Sequence, residues 1–478
     1  MSQNSFSITM SCPNTLLAAL LVAFCVILPA SAGEMSLGVS DSRISDQVIT
    51  PKPNKLPERP RPIVEIGDRF LGVGPLSKGF TLPTGAVWQP SFLVFGSYRS
   101  ALQAVDRGGQ TDSEWVNRLD LFGNLYLTPT ERLVIGLRPL DDGQTFTGYY
   151  FQPKSDDGWH DATNGYITTA FFEGDFGELF PKLDRKDSGG LDIGFSIGRQ
   201  PIAFQNGILI NDTVDALGIT RNSLHMRGAP NTRMTALYAW NEVNRGNNAE
   251  SATAKIYGLF TETDYPGTTV ALDLAYVQDS ASPLSGKNSG ENSNAFFAAL
   301  SAIQRIHHVN TAFRLLNSHA AHPGPAADSG TLFTAEISWT PTHTDNLMYL
   351  NGFYAADRFT SAARGPGSGG PLGPIGIVFA SPGIGRYGAA LSNQAQNAYG
   401  ASIGYQIFPG GLYSRRQWVL ELGARKDTDN TQQGAAAIGV RYQQAFGRRM
   451  VFQLDGFAAS YEEQENNYGL RSEVLVKF

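Results

Sequence analysis

The sequence predicts an all-β fold, a single antiparallel transmembrane β-barrel of about 18 strands with short periplasmic turns and long external loops. Three observations predict it. An apolar run near the start reads as an export signal. Beyond it, apolar and polar residues alternate in repeated segments, with no apolar stretch of helical spanning length. The linkers between those segments alternate between short and long.

The export signal is "LLAALLVAFCVIL", Leu16 to Leu28, followed by Ala30-Ser31-Ala32 as the small-x-small cleavage site. Residues 1–32 are therefore expected to be a cleaved signal peptide, although "MSQNSFSITMSCPN" before the run carries no lysine or arginine. Both cysteines, Cys12 and Cys25, fall inside it, and Phe24 before Cys25 argues against lipidation there. The mature chain is expected to have no disulfide and no thiolate metal site. Residues 33–87 form a proline-rich periplasmic arm with Pro51, Pro53, Pro57, Pro60 and Pro62. The barrel is expected to occupy residues 88–478.

Glycine numbers 52, aromatics reach 11% and charged residues only 17%, below the roughly 25% of soluble domains. With 37 Lys and Arg against 43 Asp and Glu, no basic stripe suggests a nucleic-acid partner. An exported chain of this kind without spanning helices has one other route through a bilayer, a closed sheet.

The alternation is plain in "WVNRLDLFGNLYL", where Trp115, Leu119, Leu121, Leu125 and Leu127 share one parity while Arg118, Asp120 and Asn124 take the other. Short linkers lie near Pro129, at Gly228–Asn231, Thr263–Gly267, Arg305–His308, Thr340–Asp345 and Phe446–Arg449. Longer ones lie at Asp141–Asn164, Asp279–Ser293, His319–Gly330 and Asp357–Ala395. Strands are expected near 88–103, 115–127, 131–140, 165–175, 191–200, 218–227, 232–242, 251–262, 268–278, 294–304, 308–318, 331–340, 346–356, 396–408, 415–425, 434–445, 448–460 and 469–478. The linkers Phe176–Gly190 and Gly410–Ser414 are long for periplasmic turns and leave sixteen strands as the alternative count. At the end, Leu470, Val474, Val476 and Phe478 alternate with Arg471, Glu473 and Lys477. A terminal phenylalanine on such a strand resembles the sorting signal read by the barrel-assembly machinery.

Gly194-Phe195-Ser196-Ile197-Gly198 and Gly400-Ala401-Ser402-Ile403-Gly404 both fit the G-x-S-x-G pattern. A nucleophile elbow needs strand, sharp turn and helix, yet here the alternation runs straight through each serine. The histidines, His160, His225, His307, His308, His319, His322 and His343, fall mostly in turns and loops without metal or triad spacing. Asp156, Asp157 and Asp161 offer oxygen to calcium but lack a full ligand series. No enzyme activity, cofactor or metal is expected.

Strand parity places Arg118, Asp120, Arg138, Asp192, Arg233, Lys255, Asp273, Arg314, Glu336, Glu421, Arg425, Arg441 and Asp455 toward the bore. An arginine or lysine facing lipid at midplane costs about 2–4 kcal/mol, so these charges are expected to line water or pair with one another. A barrel this wide needs an inward-folded segment to narrow it. The expected constriction is the apolar linker Gly198–Leu224, with Arg199, Gln200, Asn211, Asp212, Asp215 and Arg221. Asp357–Ala395, glycine-rich and then apolar in "PIGIVFA", is a second plug or lid.

In "IGRQPIAFQNGILIND", Gly198, Arg199, Gln200, Phe204, Gly207 and Leu209 resemble the alginate-export type of eighteen-stranded channel. That resemblance implies a barrel in the bacterial outer membrane with an arginine-rich lumen that passes an anionic polysaccharide. This lumen carries about as many acids. The expected function is thus a porin-like outer-membrane channel for small polar or charged solutes or saccharides, with outer-membrane lipids around it. The alternatives are an outer-membrane lipid hydrolase and a structural or adhesive barrel acting through its external loops.

Overall fold

The computed structural model describes residues 61–69, 77–183, 189–280, 292–411, 414–429 and 433–478, all within one compact unit that begins at Pro57. The expected signal peptide 1–32, both cysteines and the arm as far as residue 60 lie outside the described residues.

Eighteen antiparallel strands make a closed barrel. In chain order they are β1 (Ser91–Arg107), β2 (Gln110–Tyr126), β3 (Arg132–Leu137), β4 (Ile167–Asp175), β5 (Ile193–Phe204), β6 (Ile210–Met226), β7 (Ala229–Asn241), β8 (Lys255–Tyr265), β9 (Thr268–Gln278), β10 (Ala295–Ile306), β11 (Val309–Ala320), β12 (Gly330–Trp339), β13 (Leu347–Arg358), β14 (Gln396–Ile407), β15 (Arg416–Asp427), β16 (Gly434–Phe446), β17 (Met450–Tyr461) and β18 (Asn467–Lys477). Each pairs with its neighbour in sequence, and β18 closes on β1, with Asn467 opposite Arg107 and Lys477 opposite Ser97. The continuous ladder pairs backbone amides and carbonyls of neighbouring strands without water, as hydrocarbon requires.

The two faces of the wall differ as the alternation demands. Leu102, Leu422 and Leu470 on the outward parity are 57%, 57% and 61% exposed, whereas Ala101, Glu421 and Arg471 on the inward parity are 0–1% exposed. At one end the strands are joined by tight turns, as at Met226–Ala229, Tyr265–Thr268 and Ile306–Val309. The other end carries the long excursions, which marks it as external. The long linker after β4 belongs to the tight-turn end and contains a one-turn helix, α1 (Phe176–Leu179), whose N-cap Asp175 accepts from the Gly177 amide at 2.8 Å.

Strand ends differ most from the expectation in two places. β1 and β2 run on past residues 103 and 115, because Gly108 and Gly109, at φ +62° and +78°, close a two-residue turn. More consequentially, Gly198–Leu224 is not a linker. β5 continues to Phe204, β6 starts at Ile210, and the turn between them uses Gln205, Asn206 and Gly207 at positive φ. Apolar residues that suggested a buried loop are those of a buried hairpin, which shares the same period-two pattern.

Candidate functional site

The β5–β6 hairpin outgrows the wall. Pairing with β4 stops at Arg199, opposite Ala170, and pairing with β7 stops at Asp215, opposite Asn241, yet β5 and β6 remain paired up to Phe204 and Ile210. The free tip folds into the bore. There the Phe204 ring stacks on Phe260 of β8, and Gln205 Nε2 donates to Asp273 of β9 at 2.7 Å. Ile208, Leu209 and Ile210 are fully buried in an apolar cluster inside the barrel.

Residues 359–395, between β13 and β14, complete the structure inside the bore. Phe359 N donates to Ala395 O at 2.9 Å, so the excursion leaves and rejoins the wall at one place. Ala363 and Arg364 form a parallel bridge with Ile210 and Asn211 of the hairpin, flanked by Ala362 N to Leu209 O and Gly365 N to Asn211 O, both 2.9 Å. The Arg364 guanidinium donates to Gly207 O and, at 3.1 Å, to Ser368 O and Ser361 Oγ. Burial draws its pKa down to about 10, so it remains cationic at neutral pH.

The loop then crosses to β15. Glu421 accepts from Ile377 N at 3.0 Å, from Val378 N at 2.9 Å and from the Tyr349 hydroxyl. Asn351 Nδ2 and Ser402 Oγ both donate to Ile375 O, at 2.8 and 2.6 Å. β6 and β15 stand nine strands apart in a ring of eighteen, so hairpin and loop together form a crossbeam between opposite walls. Further along, the carbonyls of Pro382, Gly383 and Ile384 accept from Arg99, Arg118 and Gln103, each at 3.1 Å. Arg425 holds the returning limb through Ser392 O (2.7 Å) and Gln394 O (3.2 Å). Inward side chains thus satisfy backbone groups that burial would otherwise leave unpaired.

A row of alternating charge runs across the wall from β16 to the end of β3. Arg441 pairs with Asp455 at 2.6 Å, Asp455 with Arg471 at 2.6 Å, Arg471 with Glu473, and Glu473 with Arg99 at 2.8 Å. Arg99 lies opposite Arg118, which shares Asp120 with Arg138 at 3.1 and 2.9 Å. Arg138 also reaches Asp141 at 3.8 Å, so five guanidinium groups meet four carboxylates; the carboxylates are the more buried partners except at Arg471, which is itself fully buried. Arg99, Arg471 and Glu473 are missing from the expected bore residues, although parity alone places Arg471 and Glu473 on the inward face of β18. The opposing wall carries Arg233 with Glu262 (2.7 Å), Arg314 with Glu336, and the buried Asp273.

Other expected bore and constriction residues lie elsewhere. Lys255 shares the parity of Tyr257 and Leu259 and is exposed on the outer face at the external rim, where a charge costs only about 0–1 kcal/mol. Arg199 and Asp215 pair at 2.8 Å, joined by Glu242, on the outward parity of Ile197 at the base of the hairpin. Arg221 is far from the crossbeam, at the periplasmic rim, donating to the carbonyls of Gly189, Gly190 and Asp192. Asp192 belongs to the same rim, just before β5. Gln200 is buried with Nε2 on Ala216 O, Asp212 accepts from the Asn244 amide at 2.7 Å, and Asn211 joins the loop as described.

The crossbeam separates two cavities. The outer one, about 500 Å³, is lined by residues including Arg107, Arg425, Asp427 and Asn393. The inner one, about 230 Å³, lies under the hairpin tip against Gln205, Arg233, Glu262, Asp273 and Arg314. Ser196 and Ser402 both sit within straight strands, and the Ser402 hydroxyl is committed to Ile375 O. Among the described residues, no group of three His, Cys, Asp or Glu is placed to hold a metal.

No protein-family model and no curated protein matches the sequence. Solved structures do match the fold. The outer membrane protein OpdK from Pseudomonas aeruginosa is 11% identical with a TM-score of 0.53, over 80% of this chain and 98% of that one. The same protein solved with vanillate is 12% identical with a TM-score of 0.52, over the same shares of the two chains. OccAB3 from Acinetobacter baumannii is 11% identical with a TM-score of 0.51, over 80% of this chain and 99% of that one. At this identity the likeness establishes the porin-type barrel.

Proposed function

We propose that the protein is an outer-membrane channel through which small polar or charged solutes diffuse past the crossbeam. The observation that carries this reading is the inward row from Arg441 to Arg138, where five arginines face four carboxylates and four of the arginines, Arg99, Arg118, Arg138 and Arg441, expose more of their surface than the acids they pair with. Side-chain charges lining a pore set its selectivity. The row favours anions, and vanillate, with which a protein of similar fold was solved, is an organic anion. The segment that resembles alginate-export channels forms the infolded hairpin. With that hairpin and the loop spanning the bore, small solutes fit better than a polysaccharide chain. Phe478, at the end of the closing strand, is the residue through which the assembly machinery would recognise the chain.

Planar-bilayer recording under a salt gradient tests the reading. Discrete conductance steps with a reversal potential on the anion side are expected. Arg138→Gln, half-exposed in the row, should move that potential toward zero, whereas Lys255→Gln on the outer face should leave it unchanged. A protein inserted in the bilayer that shows no conductance, or equal effects of the two substitutions, would overturn it.

A further inference from the structure

The seam between β18 and β1 is shorter than β1. Pairing descends to Lys477 opposite Ser97, and Phe478 exchanges backbone hydrogen bonds with Gly96 at 2.9 and 3.1 Å. Below Gly96, Phe92–Val94 of β1 keep β2 on one side, while their other edge lies beyond the reach of β18. An open strand edge in hydrocarbon leaves unsatisfied amides and carbonyls. A short strand from the arm, Val64–Ile66, occupies that edge, with Val64 opposite Val94, Glu65 opposite Leu93 and Ile66 opposite Phe92. Ile63 N adds a bond to Val94 O at 2.9 Å, and Arg449 of the β16–β17 turn donates to Arg61 O at 3.0 Å.

We propose that the arm strand is the closing piece of the barrel, sealing the seam below the last strand and presenting Val64 and Ile66 to the inner leaflet. Residues directly opposite on paired strands share a face. Val64 and Ile66 therefore continue the outward row of Val94 and Phe92. Directly above, the Phe478 ring lies over Gly96, where a Cβ would come within 2.9 Å of it. Glu65 takes the opposite face, beside the inward Leu93. The alternation of Val64, Glu65 and Ile66 is that of a wall strand. A tether to some other periplasmic structure would have no reason to follow it. The occupant facing this row is phospholipid hydrocarbon, because the row lies in line with the apolar belt at the end that carries the tight turns. The sheet closes on β18 through a complete ladder, so the arm strand is needed for the periplasmic end of the seam alone.

Single cysteines at Val64, Glu65 and Ile66, labelled with an environment-sensitive fluorophore in liposomes, test this without reference to conduction. Quenching by lipids carrying a quencher on the acyl chain is expected for Val64→Cys and Ile66→Cys, and its loss for Glu65→Cys. A cross-link between Val64→Cys and Val94→Cys should form in the folded barrel. Ile66→Asp should lose the SDS-resistant folded form at a lower temperature than the parent, and Glu65→Gln should not. Equal reaction of all three cysteines with a water-soluble maleimide, no cross-link, or an unchanged unfolding temperature for Ile66→Asp would each overturn the proposal. A non-conducting barrel would leave these readouts intact, so they separate it from the channel reading.

Discussion

Glu421→Ala is expected to release the crossbeam from β15 and to turn a steady pore into a larger, fluctuating one. The carboxylate is 1% exposed and accepts from two loop amides and the Tyr349 hydroxyl. Each buried donor left without an acceptor costs about 1–3 kcal/mol. Two of the three donors are loop amides, whose loss destabilises the docked loop by at least about 2 kcal/mol, roughly thirtyfold in the undocked population. Single-channel current should show frequent excursions to a higher level, while the barrel keeps its resistance to SDS. Gly376→Ala should act in the same direction, since its Cβ would lie within 2.4 Å of a Glu421 oxygen. A quiet trace at parental conductance for both variants would show that the loop is held elsewhere.

Replacing residues 361–393 with a short glycine-serine linker is expected to have the largest effect on permeation. Phe359 already donates to Ala395 O, so the linker joins points that are neighbours and leaves β13 and β14 in register. An eighteen-stranded barrel without an inward segment holds a water-filled channel. Conductance should rise several-fold, and liposome swelling should admit sugars that the parent excludes. The hairpin tip would lose its bridge to Ala363–Arg364 but keep the Phe204–Phe260 stack and the Gln205–Asp273 bond, so part of the obstruction persists. Combining the replacement with Phe204→Ala should widen the pore again. Unchanged conductance in the combined variant would mean that neither piece limits flow.

The sequence by itself determined the barrel. Eighteen alternating segments, linkers of two kinds and inward charges follow from a wall with lipid on one side, where period two, turn chemistry and the cost of a buried charge are local properties. It also singled out the two segments that meet in the bore, because Gly198–Leu224 and Asp357–Ala395 are too apolar for solvated loops. What only the tertiary structure decided is how they meet. The bridge of Ile210–Asn211 to Ala363–Arg364, the Glu421 anchor and the placing of Val64–Ile66 on the edge of β1 are pairings between residues far apart in the chain. Alternation itself puts Lys255 with Tyr257 and Leu259, and Arg199 and Asp215 with Ile197, on the outward face; the expectation that every charge turns inward failed there and at Arg221, because near a rim the penalty for an outward charge fades. Arg99 next to Glu473 shows the same limit from the other side: the barrel had to close before the first strand and the last could share one charge.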